Sequence, residues 1–138
     1  MTKPKLPPAT DWRARDITDW NVSTFSQFII DRTQEIYGVP YAPGGGGSKS
    51  QRWLREKGML KQAQGTYGNA VLRAFIEICW REYRTNKPEQ FPYPTFAFMI
   101  SYQDRYFSQA QSDVARAKRS SGAAEIAEVD TEKLAEWF

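Results

Sequence analysis

The 138-residue chain contains no histidine and a single cysteine, Cys79. Without imidazole or thiolate sets, the usual zinc ligands are missing, and so is the commonest acid–base and triad chemistry. One cysteine cannot form an internal disulfide, so nothing points to an oxidising compartment. No run approaches the roughly 18 apolar residues of a membrane span, and the N-terminus carries no apolar stretch of the signal-peptide kind. A cytoplasmic, membrane-free protein without metal or cofactor is the expectation. Strict two-residue alternation is also missing, which argues against strands. No paired-carboxylate motif stands out, and an enzyme is not expected.

Aromatic residues, in contrast, are plentiful. Five Trp, seven Tyr and eight Phe make 14% of the chain, within an apolar share of 41%. Such a composition builds a small core from few large side chains, and it is too apolar for a disordered chain. Some rings could equally serve as surface platforms for bases. The net charge of +3 hides an asymmetry. Residues 1–119 carry 18 Lys and Arg against 11 Asp and Glu, a balance of +7. Residues 120–138 carry five acids against Lys133, a balance of −4, and finish on Trp137-Phe138. A basic body with an acidic, aromatic-tipped tail suits a polyanion on one part and another partner on the other.

Periodicity and punctuation predict an all-α protein, a compact bundle of about four helices. An extended basic N-terminal arm (residues 1–18) precedes the helical domain (19–118), and an acidic tail (119–138) follows it. Pro4, Pro7 and Pro8 favour the extended arm, whose far end Trp12 and Trp20 are placed to pin. A first helix is expected from Ser23 to Tyr37, with Ser23 as N-cap and Gly38 as a left-handed stop. The glycine run of residues 38–48 fails the phosphate-loop pattern, which needs glycine at Pro43 and Ser48, so it reads as a connector. The second helix should run from Ser50 to Gln64, closed by a turn between Gly65 and Gly68. The third, Asn69–Arg84 with Asn69 as cap, gathers Leu72, Phe75, Ile76 and Cys79 on a broad core face. Cys79 then reads as a small buried hydrophobe. The fourth is expected as one long helix from Pro94 to Lys118. Thr131–Phe138 is expected to form two further turns, which need docking to be ordered.

Three groups of residues carry chemistry. Lys49, Arg52, Arg55, Lys57 and Lys61 crowd the second helix with only Glu56 opposing, a density that neutralises several phosphates or simply makes a solvated face. Arg73, Trp80 and Arg84 in the third helix, and Phe98, Tyr102 and Arg105 in the fourth, set rings beside guanidinium groups. That pairing suits base stacking, protein hot spots or plain core packing. Leu134, Trp137 and Phe138 among acids fit a linear motif entering a partner's groove, or a terminus capping its own core.

The tail residues Glu128, Asp130, Glu132, Glu136 and Phe138 resemble the tip of bacterial and phage single-stranded-DNA-binding proteins. In those families the tip recruits replication and repair partners and can fold back on the DNA-binding surface. Here Lys133 interrupts the acids and Trp137 departs from the pattern, and the body does not read as an OB-fold. The stretch from Tyr67-Gly68 through Phe75-Ile76, with Phe91-Pro92-Tyr93-Pro94-Thr95 and Tyr102, resembles small helical modules of phage and plasmid proteins in replication or DNA regulation. The resemblance implies a mobile-element origin and a bacterial host cytoplasm. Together these readings predict a non-enzymatic accessory protein that binds nucleic acid, DNA rather than RNA, and a protein partner through its tail. The alternative is a protein-interaction module acting on a host polymerase, helicase or nuclease. Two-sided apolar character in the fourth helix permits a homodimer.

Overall fold

The computed structural model describes residues 6–44 and 46–120, whose regular structure is all helical, with no strand. A short 3-10 helix, Ile17–Asp19, leads into α1 (Val22–Tyr37), α2 (Lys49–Tyr67), α3 (Asn69–Glu82) and α4 (Phe96–Tyr102). A further helix, α5, occupies residues 106–120.

Capping chemistry sets most of these boundaries. α1 begins one residue before the expected start because Asn21, not Ser23, takes the cap: its side chain accepts from the Thr24 amide, while the Thr24 hydroxyl accepts from the Asn21 amide. Gly38 ends α1 in the left-handed region, φ 73°, where glycine carries no Cβ penalty. Ser48 and Gln51 form the same reciprocal box at the start of α2. The turn expected from Gly65 is not there; α2 runs on to Tyr67, since a single glycine costs a helix only about 1 kcal/mol and Gly68, at φ 83°, makes the corner instead.

The N-terminal segment departs from an extended arm over its described part. Turns at residues 9–10 and 12–14 fold it back, and Trp12 and Trp20 sink into the core against Phe28. Indoles bury large areas and want a partner for their N–H. Trp12 donates to Asp31 at 2.9 Å and Trp20 to the Arg15 carbonyl at 3.1 Å.

α3 is the central element, with α2, α4 and the 3-10 helix packed on it and α1 lying on α2. Leu72, Phe75, Ile76, Ile78 and Cys79 are buried as the periodicity predicts. Burial pushes the Cys79 thiol up from its ordinary range, which keeps it an inert hydrophobe. The single long fourth helix is broken at residues 103–105. Gln103 lies on the buried stripe, and its amide donates to the Cys79 carbonyl at 3.1 Å. After the break, Phe107 slides between two rings, with centroids 3.9 Å from Tyr67 and 3.6 Å from Phe75. Beyond residue 114 every described residue of α5 is exposed.

Candidate nucleic-acid interface

The basic helix and the aromatic residues meet through the loop between α1 and α2. On α2, the buried line is Glu56, Leu60 and Ala63. At about 100° per residue, Lys57 and Lys61 leave that line on one side and Arg52 and Arg55 on the other. Glu56 is the only acid of α2, and it is 2% exposed. The outer surface of the helix therefore carries charge of one sign. Among the described residues none of Lys49, Arg52, Arg55, Lys57 or Lys61 forms an ion pair; the pairs present are Arg13 and Arg32 with Glu35, Arg73 with Glu77, and Arg81 with Glu82. Arg52 and Arg55 reach instead to the carbonyls of Pro43 and Gly46, at 3.5 and 3.1 Å.

Beneath α2 a tyrosine of the same loop closes a polar knot. Glu56 accepts from the Tyr41 hydroxyl, and the Tyr41 oxygen accepts from the Phe96 amide at the start of α4, at 3.0 Å. Burial raises the Glu56 carboxyl to about 7 despite these bonds, which favour its charged form. Burial likewise raises the Tyr41 hydroxyl, with the Glu56 charge adding to it. Glu56 Oε2 and Arg52 Nε, one helical turn apart, are both buried without a hydrogen-bond partner among the described residues.

On the far side of the loop lies a groove of about 660 Å³ between the end of α3, the 85–95 segment and α4. Its floor is Tyr83 and Tyr93, whose hydroxyls are committed to backbone: Tyr83 donates to the Phe91 carbonyl at 2.8 Å, and Tyr93 accepts from the Ala42 amide at 2.9 Å. Tyr37 backs them, its ring centroid 6.4 Å from each, and burial raises its hydroxyl to about 12. One wall is Phe98 and Tyr102, 5.1 Å apart. Phe91 forms the rim, and Gly44 closes one end. Phe91 is 53% and Tyr102 68% exposed. Among the described residues, Arg84 is the only charged side chain lining the groove. Its guanidinium donates to the carbonyls of Arg81 and Tyr83, which seats it at the C-terminal end of α3.

Of the residues singled out in the sequence, the fold thus unites Arg84 and Tyr102, and sets Arg105 beside them through its bond to the Tyr102 carbonyl at 3.2 Å. Arg105 also lies over the Tyr106 ring, 4.6 Å from its centroid. Trp80 does not join them. It is 6% exposed and packs on Phe28 with centroids 5.3 Å apart, because its angle on α3 faces the N-terminal tryptophan cluster, so it offers no ring to a base. Arg73 lies across the rings of Trp20 at 4.9 Å and Phe28 at 5.3 Å and pairs with Glu77 at the surface. It cements the N-terminal segment. Phe98 is half-buried in the groove wall, where its ring meets Tyr83 and Tyr102. Tyr83, Phe91 and Tyr93 were not among the candidate site residues, and their one mark in the sequence is the proline-punctuated aromatic run Phe91-Pro92-Tyr93. Leu134, Trp137 and Phe138 lie outside the described residues.

Among the described residues no three acidic or thiol side chains gather where a metal could sit, and no helix is long and apolar enough to cross a membrane. No family model, curated protein or solved structure matches this chain.

Proposed function

We propose that the chain is a non-enzymatic nucleic-acid-binding accessory protein of a phage or other mobile element, acting in DNA replication or transcription regulation. One observation carries this reading. The five cations of α2 have no carboxylate partner among the described residues, while the only acid of that helix is buried. Cations paired with neighbouring acids gain little from a polyanion. Unpaired ones release condensed counterions from phosphates on binding, and affinity then falls steeply with salt. Arg84 and Arg105 extend the positive surface toward the groove, and the acidic tail would recruit a protein or shield the basic face until DNA arrives.

The test is a binding titration against oligonucleotides over a range of salt, with the exposed cations Arg55, Lys57 and Lys61 reversed to Glu. The parent should show a steep slope of log affinity against log salt. Each reversal should lower that slope by about one for every phosphate it leaves unneutralised. A slope near zero in the parent would overturn the reading.

The aromatic groove favours a second reading, since rings and arginines also dominate protein hot spots. The chain would then be an interaction module acting on a host polymerase, helicase or nuclease. DNA affinity would be weak and indifferent to charge reversal on α2.

A further inference from the structure

We infer that the groove between the end of α3 and α4 takes unpaired nucleobases, which makes single-stranded nucleic acid the preferred ligand over duplex. The inference rests on the nucleic-acid reading above and names the kind of nucleic acid.

What the groove offers is mainly ring surface. Tyr102 and Phe91 are the large aromatics most open to solvent in the described chain, and they stand on the wall and rim of one concavity. Phe98 lies at 38° to Tyr102, and Tyr83 is perpendicular to Phe98 at 88°. The rings therefore form a corner rather than a flat plate. A planar base can lie on one ring face with its edge against the next, an arrangement that suits the aromatic quadrupole. In a duplex both faces of each base are covered by its neighbours. Only an unstacked base can present a face to Tyr102. The volume of about 660 Å³ is that of an ordinary small-molecule pocket, and the floor hydroxyls are already tied to backbone. Selectivity then falls on Asn86 and on the hydroxyl hydrogens of Thr85 and Thr95, whose oxygens already accept from the Lys87 and Phe98 amides.

Charge decides which aromatic-seeking ligand fits. Among the described residues no carboxylate lines the groove, and Arg84 does. Arg105 flanks it at the α4–α5 corner. Through the loop held by Arg52 and Arg55, the groove adjoins the side of α2 that carries those two arginines. A strand that places a base on Tyr102 therefore has cations on both sides for its flanking phosphates, the combination that single-strand binders use.

The experiment uses the full chain with one oligodeoxynucleotide sequence, carrying 2-aminopurine, presented as single strand and as blunt duplex. Single strand should bind at least about tenfold tighter, with aminopurine emission changing as the base stacks on protein. Tyr102→Ala and Phe91→Ala should each weaken single-strand binding by about tenfold and leave duplex binding unchanged. Tyr102→Trp, which keeps a ring, should retain affinity. Both rings are exposed, and thermal melting checks that the variants fold. Equal affinity for the two forms, or alanine variants that bind single strand as the parent does, would overturn the inference and leave the groove to a protein partner. In either event a persisting salt slope keeps the nucleic-acid reading, whereas a flat slope toward both forms removes both.

Discussion

Glu56 is the residue whose chemistry is least like that of its neighbours in sequence. It sits in a run of cations, yet the fold buries it under Tyr41 and the start of α4. Its carboxyl is raised from 4.5 to about 7, chiefly by burial. Between those values the folded chain holds a proton that the unfolded chain has lost. Stability therefore falls as pH climbs through that window, and levels off above it. The full cost is on the order of 3 kcal/mol. Glu56→Gln keeps the shape and the acceptor for Tyr41 but cannot ionise. The parent should lose thermal stability between about pH 4.5 and 7, while Glu56→Gln stays nearly flat. Parallel curves for the two proteins would show that Glu56 is not the titrating group.

At the scale of elements, the corner between α2 and α3 is held by a device that capping rules do not foresee. Those rules make Asn69 the cap of α3, but the corner at Gly68 has no side-chain cap. Asn69 is instead a staple: its amide donates to the carbonyls of Ile17 and Trp20 at 2.8 and 2.9 Å, and its oxygen accepts from Gln64 at 2.8 Å. Removing its donors takes one of two bonds from each carbonyl, since Ile17 still accepts from the Trp20 amide and Trp20 from the Gln64 side chain, at a cost of about 1 kcal/mol in total. Asp is as good as Asn at a cap but has no amide to donate. Asn69→Asp should therefore destabilise as much as Asn69→Ala in denaturant unfolding. An Asp variant as stable as the parent would restore the capping role. The break between α4 and α5 has a similar origin. Periodicity traces one stripe from Phe96 to Ala117. It cannot show that Gln103 will anchor to α3, or that Phe107 must turn to enter the gap between Tyr67 and Phe75.

For the molecule as a whole, charge is segregated along the chain. Under the proposed function, the acidic block at residues 120–138 would compete electrostatically with a polyanion for the basic body. Deleting it raises the net charge from +3 to +7. Under the proposed function, the truncated chain should bind DNA more tightly at low salt. The gain should shrink as salt screens the tail, since the Debye length falls to about 8 Å near physiological ionic strength. Unchanged affinity after truncation would mean that the tail does not shield the body and acts elsewhere.

The all-helical character, the stop at Gly38, the core face of α3 and the inert burial of Cys79 were all legible from residue order. Each depends on local φ, ψ preference or on which residues share one helix face. Helix α2 was legible as a basic helix, but the inward turn of its one acid was not. The convergence of Tyr83, Phe91, Tyr93, Phe98 and Tyr102 on one groove, the loss of Trp80 to the interior, the laying of Arg73 across the tryptophan cluster, and the stapling by Asn69 were decided by tertiary structure. They join residues far apart in sequence, and no helical period records which neighbour a side chain will meet.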